Sequence, residues 1–67
     1  MRLAQLEALM KEKKVSRYEL AEATGIKYPY LSKRILGYIE FNLSEIRKII
    51  KCLKLTDEEI RKAFYLN

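Results

Sequence analysis

Three times along this chain a small polar residue is followed three positions later by Glu: Ser16 with Glu19, Asn42 with Glu45, and Thr56 with Glu59. At that spacing the small side chain accepts a hydrogen bond from the N–H of the third helical residue, and the Glu carboxylate accepts one from the N–H of the capping residue. Two of the donors that every helix start leaves orphaned are thereby satisfied. A single match carries little, because these residues are common. Three matches, each after a plausible loop and before apolar residues at helical spacing, predict three helix starts.

The apolar pattern agrees. Leu3, Leu6 and Met10 recur at helical spacing in a first segment, and Leu43, Ile46, Ile49, Ile50 and Leu53 do so in a later one. Alternating strand-like runs are absent. The signals together predict an all-α fold of five short helices: Arg2 to Lys13, Arg17 to Thr24, Tyr28 to Leu36, Leu43 to Leu53 and Asp57 to Tyr65. Helices this short are marginal alone in water, so their stability depends on a shared core. The spacing assigns that core to Leu3, Leu6, Met10, Val15, Leu20, Ala21, Ile26, Leu31, Ile35, Leu43, Ile46, Ile50, Leu53, Leu55, Ile60 and Phe64.

Length and residue inventory remove several chemistries. Sixty-seven residues make one domain, numbered 1–67, with no room for a second lobe. The single cysteine, Cys52, cannot form an internal disulfide and reads as a partly buried filler. With no His and no second Cys there is no zinc-binding spacing. No base of the usual kind is available for nucleophilic catalysis, and Gly25 and Gly37 lie too far apart for a phosphate loop, so an enzyme is not expected and no cofactor is implied. Apolar runs such as Ile35-Leu36 and Ile49-Ile50 are two residues long, which gives neither a spanning helix nor a signal-peptide core. The expectation is a soluble cytoplasmic domain that takes no membrane partner.

The most informative stretch runs from Ser16 to Gly37, with the helix-turn-helix at about 17–36. Ala21 sits midway along the second helix, where only a small side chain allows another helix to cross closely. Gly25 follows the last periodic residue, where a left-handed backbone is least costly for glycine. Ile26 would plug the corner and Leu31 anchor the next helix. Two short helices joined by a tight glycine-containing turn form a helix-turn-helix, whose second helix is presented to the major groove.

The run Val15-Ser16-Arg17-Tyr18-Glu19-Leu20-Ala21-Glu22-Ala23-Thr24-Gly25-Ile26, with Tyr30-Leu31-Ser32 and Gly37, resembles the helix-turn-helix of the phage repressor and Cro family. The likeness continues through Glu40 to Ile46 and Leu53 to Ile60, covering nearly the whole chain as in short Cro-like regulators. It implies a five-helix lambda-repressor-like domain that binds double-stranded operator DNA as a transcriptional repressor of a phage or mobile-element switch. Carried across position by position, the family's base-reading residues fall on Tyr28, Pro29 and Lys33. Its phosphate contacts fall on Ser16, Arg17 and residues near Tyr38. Three positions depart from the family pattern: Lys27 stands where a capping Ser, Thr or Asn is usual, Leu36 where Asn is common before the glycine, and Pro29 replaces a polar reader.

Charge supports a nucleic-acid partner independently of the resemblance. The formal net charge is +5, and between Glu22 and Glu40 there is no acidic residue, while Lys27, Lys33 and Arg34 lie in that interval. A cation beside a helix N-terminus opposes the helix dipole, a conflict that a docked phosphate would relieve, so Lys27 joins Tyr30 and Arg34 as candidate phosphate contacts. Lys11, Lys13 and Lys14 suit the end of the first helix, and Arg47, Lys48, Lys51 and Lys54 read as a solvated face. Tyr65 and Leu66, more apolar than a solvated tail requires, are the candidate contact of a weak homodimer that becomes cooperative on DNA. The competing reading is a protein-interaction modulator of antirepressor type that docks on a partner repressor; the acid-free interval favours DNA.

Overall fold

All three pairs close as capping boxes. In the computed structural model, which describes residues 2–64, the chain forms α1 (Ala4–Glu12), α2 (Arg17–Thr24), α3 (Tyr28–Ile35), α4 (Leu43–Leu53) and α5 (Asp57–Phe64), with no strand among the described residues. Ser16 Oγ accepts from the Glu19 N–H at 3.1 Å, and Glu19 accepts from the Ser16 N–H at 3.0 Å. The Asn42–Glu45 pair closes at 2.8 and 2.9 Å, and the Thr56–Glu59 pair at 3.2 and 2.9 Å. The limits of α2 and α4 are those the sequence predicts. Helix α3 is one residue shorter, with Leu36 as its C-cap. Helix α1 is shorter at both ends and has no side-chain cap; instead the Leu3 N–H donates to the Ile35 carbonyl at 2.8 Å, so the end of α3 fixes the start of α1.

Helix stops are also local. After α3, the Tyr38 N–H bonds the Lys33 carbonyl at 2.9 Å and the Gly37 N–H bonds the Arg34 carbonyl at 3.1 Å, with Gly37 at φ 89°. This is a Schellman ending, in which a left-handed residue satisfies two otherwise orphaned carbonyls. Lys14 (φ 59°) and Lys54 (φ 52°) hold the left-handed position after α1 and α4, where the Val15 and Leu55 N–H groups reach back to Met10 and Ile50. A side chain in that region costs about 1–2 kcal/mol relative to the ordinary helical region.

Helix α1 packs on α3 and α5, and α2 packs on α3 and α4. The buried centre is Leu6, Met10, Leu20, Leu31, Ile35, Ile49, Leu53, Leu55 and Ala63. Leu3, Val15, Ala21, Ile26, Ile50, Ile60 and Phe64 are partly buried against it, and Ile46 is half-buried. Phe41, in the loop before α4, meets Phe64 edge-on with ring centroids 6.1 Å apart.

Three core assignments need correction. Leu43 is 63% exposed and Ile49 fully buried. The stripe of α4 that faces the core is Ile46, Ile49 and Leu53, at i, i+3 and i+7; Leu43 opens the first turn off the side of that stripe, beyond its neighbours. Ala63 is fully buried too, and its small side chain suits the close packing of α5 on α1.

Candidate nucleic-acid interface

The turn that orients α3 is built from α2. Gly25 takes φ 74° and its N–H donates to the Ala21 carbonyl at 2.9 Å. The buried Thr24 hydroxyl donates to the Leu20 carbonyl at 2.8 Å and accepts from the Ile26 N–H at 3.4 Å. From α4, the Lys48 ammonium donates to the Thr24 carbonyl at 3.4 Å. Lys48 thus supports the turn as well as the solvated face, and its charge suits the C-terminal end of α2.

Three faces of α3 follow from its 3.6-residue period. Leu31 and Ile35, four apart, are fully buried. Pro29, Tyr30 and Lys33 point to the opposite side and are exposed, with Tyr30 at 51%. Tyr28 and Ser32 occupy the flank toward α2, and Arg34 the flank toward α4.

The sequence-predicted contacts divide accordingly. Lys27, Pro29, Tyr30, Lys33 and Tyr38 are exposed, and Tyr38, just past the end of α3, is 79% exposed. Lys27 caps α3 without any side-chain hydrogen bond, and no acid lies in the first turn. The Lys33 ammonium sits 5.9 Å from the centre of the Tyr30 ring, within cation–π range. Ser16 is exposed, its oxygen engaged in the α2 cap.

The two arginines are half-buried and tied into the fold. Arg17 donates to Glu7 on α1 at 3.0 Å and to Ser32 Oγ on α3 at 3.3 Å, which locks the start of α2 against both helices. Arg34 donates to Glu45 on α4 at 3.2 Å and to the Tyr30 carbonyl at 3.2 Å. Each guanidinium carries five donors, so these bonds orient the group and leave N–H capacity. Tyr65 and Leu66 lie outside the described residues.

Glu7 is a centre that the sequence did not signal. It accepts two hydrogen bonds from Arg2, at 2.7 and 3.0 Å, besides the one from Arg17. The Arg2 guanidinium, helped by Arg17, holds its carboxyl below the usual carboxylate range against the opposing effect of burial. Tyr18 also went unsignalled: it is 69% exposed, and its ring stacks on that of Tyr28 with centroids 4.3 Å apart and planes 16° apart. The two residues are ten apart across the turn, beyond the reach of any single-helix periodicity.

The outer surface of α3 is therefore cationic and aromatic, free of carboxylates, and uncovered by any other described element. Both of its flanks are fixed, by Arg17 and Tyr18 on one side and by Arg34 on the other. Among the described residues no helix is long and apolar enough to cross a membrane. The helix-turn-helix family profile matches residues 6–60, from α1 into α5. Searches of curated proteins and of solved structures returned no match.

Proposed function

The chain belongs to the helix-turn-helix family, a family of DNA-binding transcriptional regulators, and on that premise we propose that it is a Cro-like repressor of a phage or mobile-element switch. In this reading α3 enters the major groove of operator DNA, with Tyr28, Pro29 and Lys33 facing base edges. Ser16, Arg17, Lys27, Tyr30, Arg34 and Tyr38 face the backbone phosphates on either side. The observation that carries the proposal is the outward stripe of α3: Pro29, Tyr30 and Lys33 stand clear of the protein, on a helix with no acidic residue and a fixed buried face. Phosphate contacts would set register and affinity, while base contacts would set sequence preference.

Arg17 fits a phosphate clamp because it is held in place before any ligand arrives. Ordering a long side chain in advance removes an entropic cost that binding would otherwise carry. Lys27 fits for the complementary reason: a cation at an uncapped helix N-terminus is unfavourable by about 0.3–1 kcal/mol in the free protein and becomes favourable beside an anion.

Pairing on DNA is part of the proposal. Half-sites for such domains lie about 34–36 Å apart on one face of the duplex. The body measures 27 × 23 × 20 Å, so two copies would meet only along an edge. Tyr65 and Leu66 are proposed for that edge. A stable interface generally buries more than about 1,000 Å² in total, so the dimer is weak in solution and forms cooperatively on a palindromic site.

Anisotropy titration against a random-pool selection of duplexes tests the reading. If roughly 6 phosphates are neutralised by a dimer, log affinity falls with log salt at a slope near about −5. Lys33→Ala is expected to cost about 1–3 kcal/mol on the preferred duplex and to relax one base pair, whereas Arg17→Ala weakens all sequences alike. A salt-independent affinity, or identical behaviour of the two variants on every duplex, overturns the assignment. Sedimentation of the free protein and footprinting of Leu66→Asp test the dimer; a tight free dimer or unchanged cooperativity removes it.

A further inference from the structure

The Tyr18 ring stacks on Tyr28, the first residue of α3, although most of its surface faces solvent. Tyr28 is half-buried at the start of its helix, where a tyrosine side chain has more than one staggered rotamer open to it. Stacking of the two rings selects one for Tyr28, on the flank of α3 that borders its outward stripe. The first turn of α3 contains Tyr28, Pro29 and Tyr30, and none of these is a bidentate reader: there is no Arg or Lys for guanine, no Asn or Gln for adenine and no acid for cytosine. What Pro29 and the ring of Tyr28 offer is apolar surface, with a single hydroxyl at the far end of the ring. The apolar feature exposed in the major groove is the C5-methyl group of thymine.

We infer that Tyr18 is a positioning residue that holds the Tyr28 ring, and that this stacked pair, with Pro29 beside it, reads the C5-methyl of a thymine. The inference rests on the placement of α3 in the major groove and adds to it both a chemical target and a residue outside α3. A methyl group is read by fit alone. A ring free to rotate away would contact it no better than it contacts water, so the discrimination depends on the stack.

The test starts from the duplex selected in the random-pool experiment, with its thymines replaced one at a time by deoxyuridine, which removes only the methyl. At one thymine of each half-site the wild-type protein should lose about fourfold in affinity, the ratio that corresponds to about 0.8 kcal/mol for one buried carbon group. Tyr18→Phe keeps the ring and should lose the same fourfold. Tyr18→Ala and Tyr28→Ala should bind the thymine and deoxyuridine duplexes equally, and the double variant should show no further change in that ratio. Tyr18 lies on the surface, so Tyr18→Ala should lose only the stack and keep the wild-type helical circular dichroism spectrum at the temperature of the titrations. Retention of the methyl sensitivity in Tyr18→Ala, or no methyl-sensitive thymine in the wild type, overturns the inference and leaves the DNA-binding reading standing. If no duplex is selected, both fall together.

Discussion

The two helices of the helix-turn-helix begin in opposite ways. Helix α2 starts from a complete capping box, with Ser16 and Glu19 each satisfying the other's backbone. Helix α3 starts from Lys27, which makes no side-chain cap bond, with no acid in its first turn and Pro29 at its second position. Proline there is compatible with a helix start, because it lies among the positions whose N–H has no helical partner. The lysine is not favoured on stability grounds. Helices α4 and α5 follow the start of α2, with a capping box and acids in the first turn, and they add bases in the last turn, which α2 lacks. Local rules of helix stability are thus kept at α2, α4 and α5 and set aside at the start of the helix proposed to meet DNA. Such local conflicts are expected where function rather than folding selects the residue.

The widest contrast lies between the inner and outer faces of α3. Leu31→Ala should cost about 2–5 kcal/mol, as for other fully buried leucines, enough to unfold most of a domain this small. Tyr30→Ala on the outer face should change stability by under about 0.5 kcal/mol. Urea denaturation followed by circular dichroism measures both; similar values for the two would erase the distinction between core and contact faces.

Next in size is the turn between the two starts. A Cβ added at Gly25 meets nothing within 4 Å, so the cost of Gly25→Ala comes from the left-handed backbone alone, about 1–2 kcal/mol. The mirror-image change, Lys54→Gly after α4, should stabilise the protein by about 1 kcal/mol on the same measurement.

The caps themselves give the sharpest pair. Asn42→Ala removes a formed cap and should destabilise by about 1 kcal/mol. Lys27→Ser supplies a missing one and should stabilise by several tenths of a kcal/mol up to about 1, while lowering affinity for every duplex. A Lys27→Ser protein that is no more stable, or that binds DNA as well as wild type, breaks the comparison at its centre.

The smallest effect is acid sensitivity at the clamp. The carboxyl of Glu7 is depressed in the folded state by Arg2 and Arg17, so its contribution is present above the ordinary Glu value of about 4.3 and fades as pH falls through the lower folded value. These partly exposed ion pairs warrant under about 1 kcal/mol. The urea midpoint of wild type should therefore fall more steeply below about pH 5 than that of Glu7→Gln, with the curves parallel near neutrality.

The sequence determined the starts of α2, α4 and α5 and the glycine stops after α2 and α3, but not the limits of α1, and the reason is range. A capping box joins residues three apart, and a left-handed stop concerns one residue and its neighbours, so Ser16, Asn42, Thr56, Gly25 and Gly37 act before any tertiary contact exists. The left-handed backbone at Lys14 and Lys54 obeys the same geometry but was illegible, because lysine carries no preference for it; the apolar period alone placed the end of α4 at Leu53, while α1 stops at Glu12, one residue before its expected end. Periodicity gave the buried side of α3. It did not place Leu43 outside the core or Ile49 inside it, because that choice depends on where α2 lies against α4. The candidate site divides the same way. Its positive charge is visible as a gap in the acidic residues, while three relations exist only once successive helices are packed on one another: Arg17 held between Glu7 and Ser32, Arg34 against Glu45, and Tyr18 on Tyr28. Each joins side chains ten or more residues apart, where no local propensity reaches and only the crossing of the helices decides which groups meet.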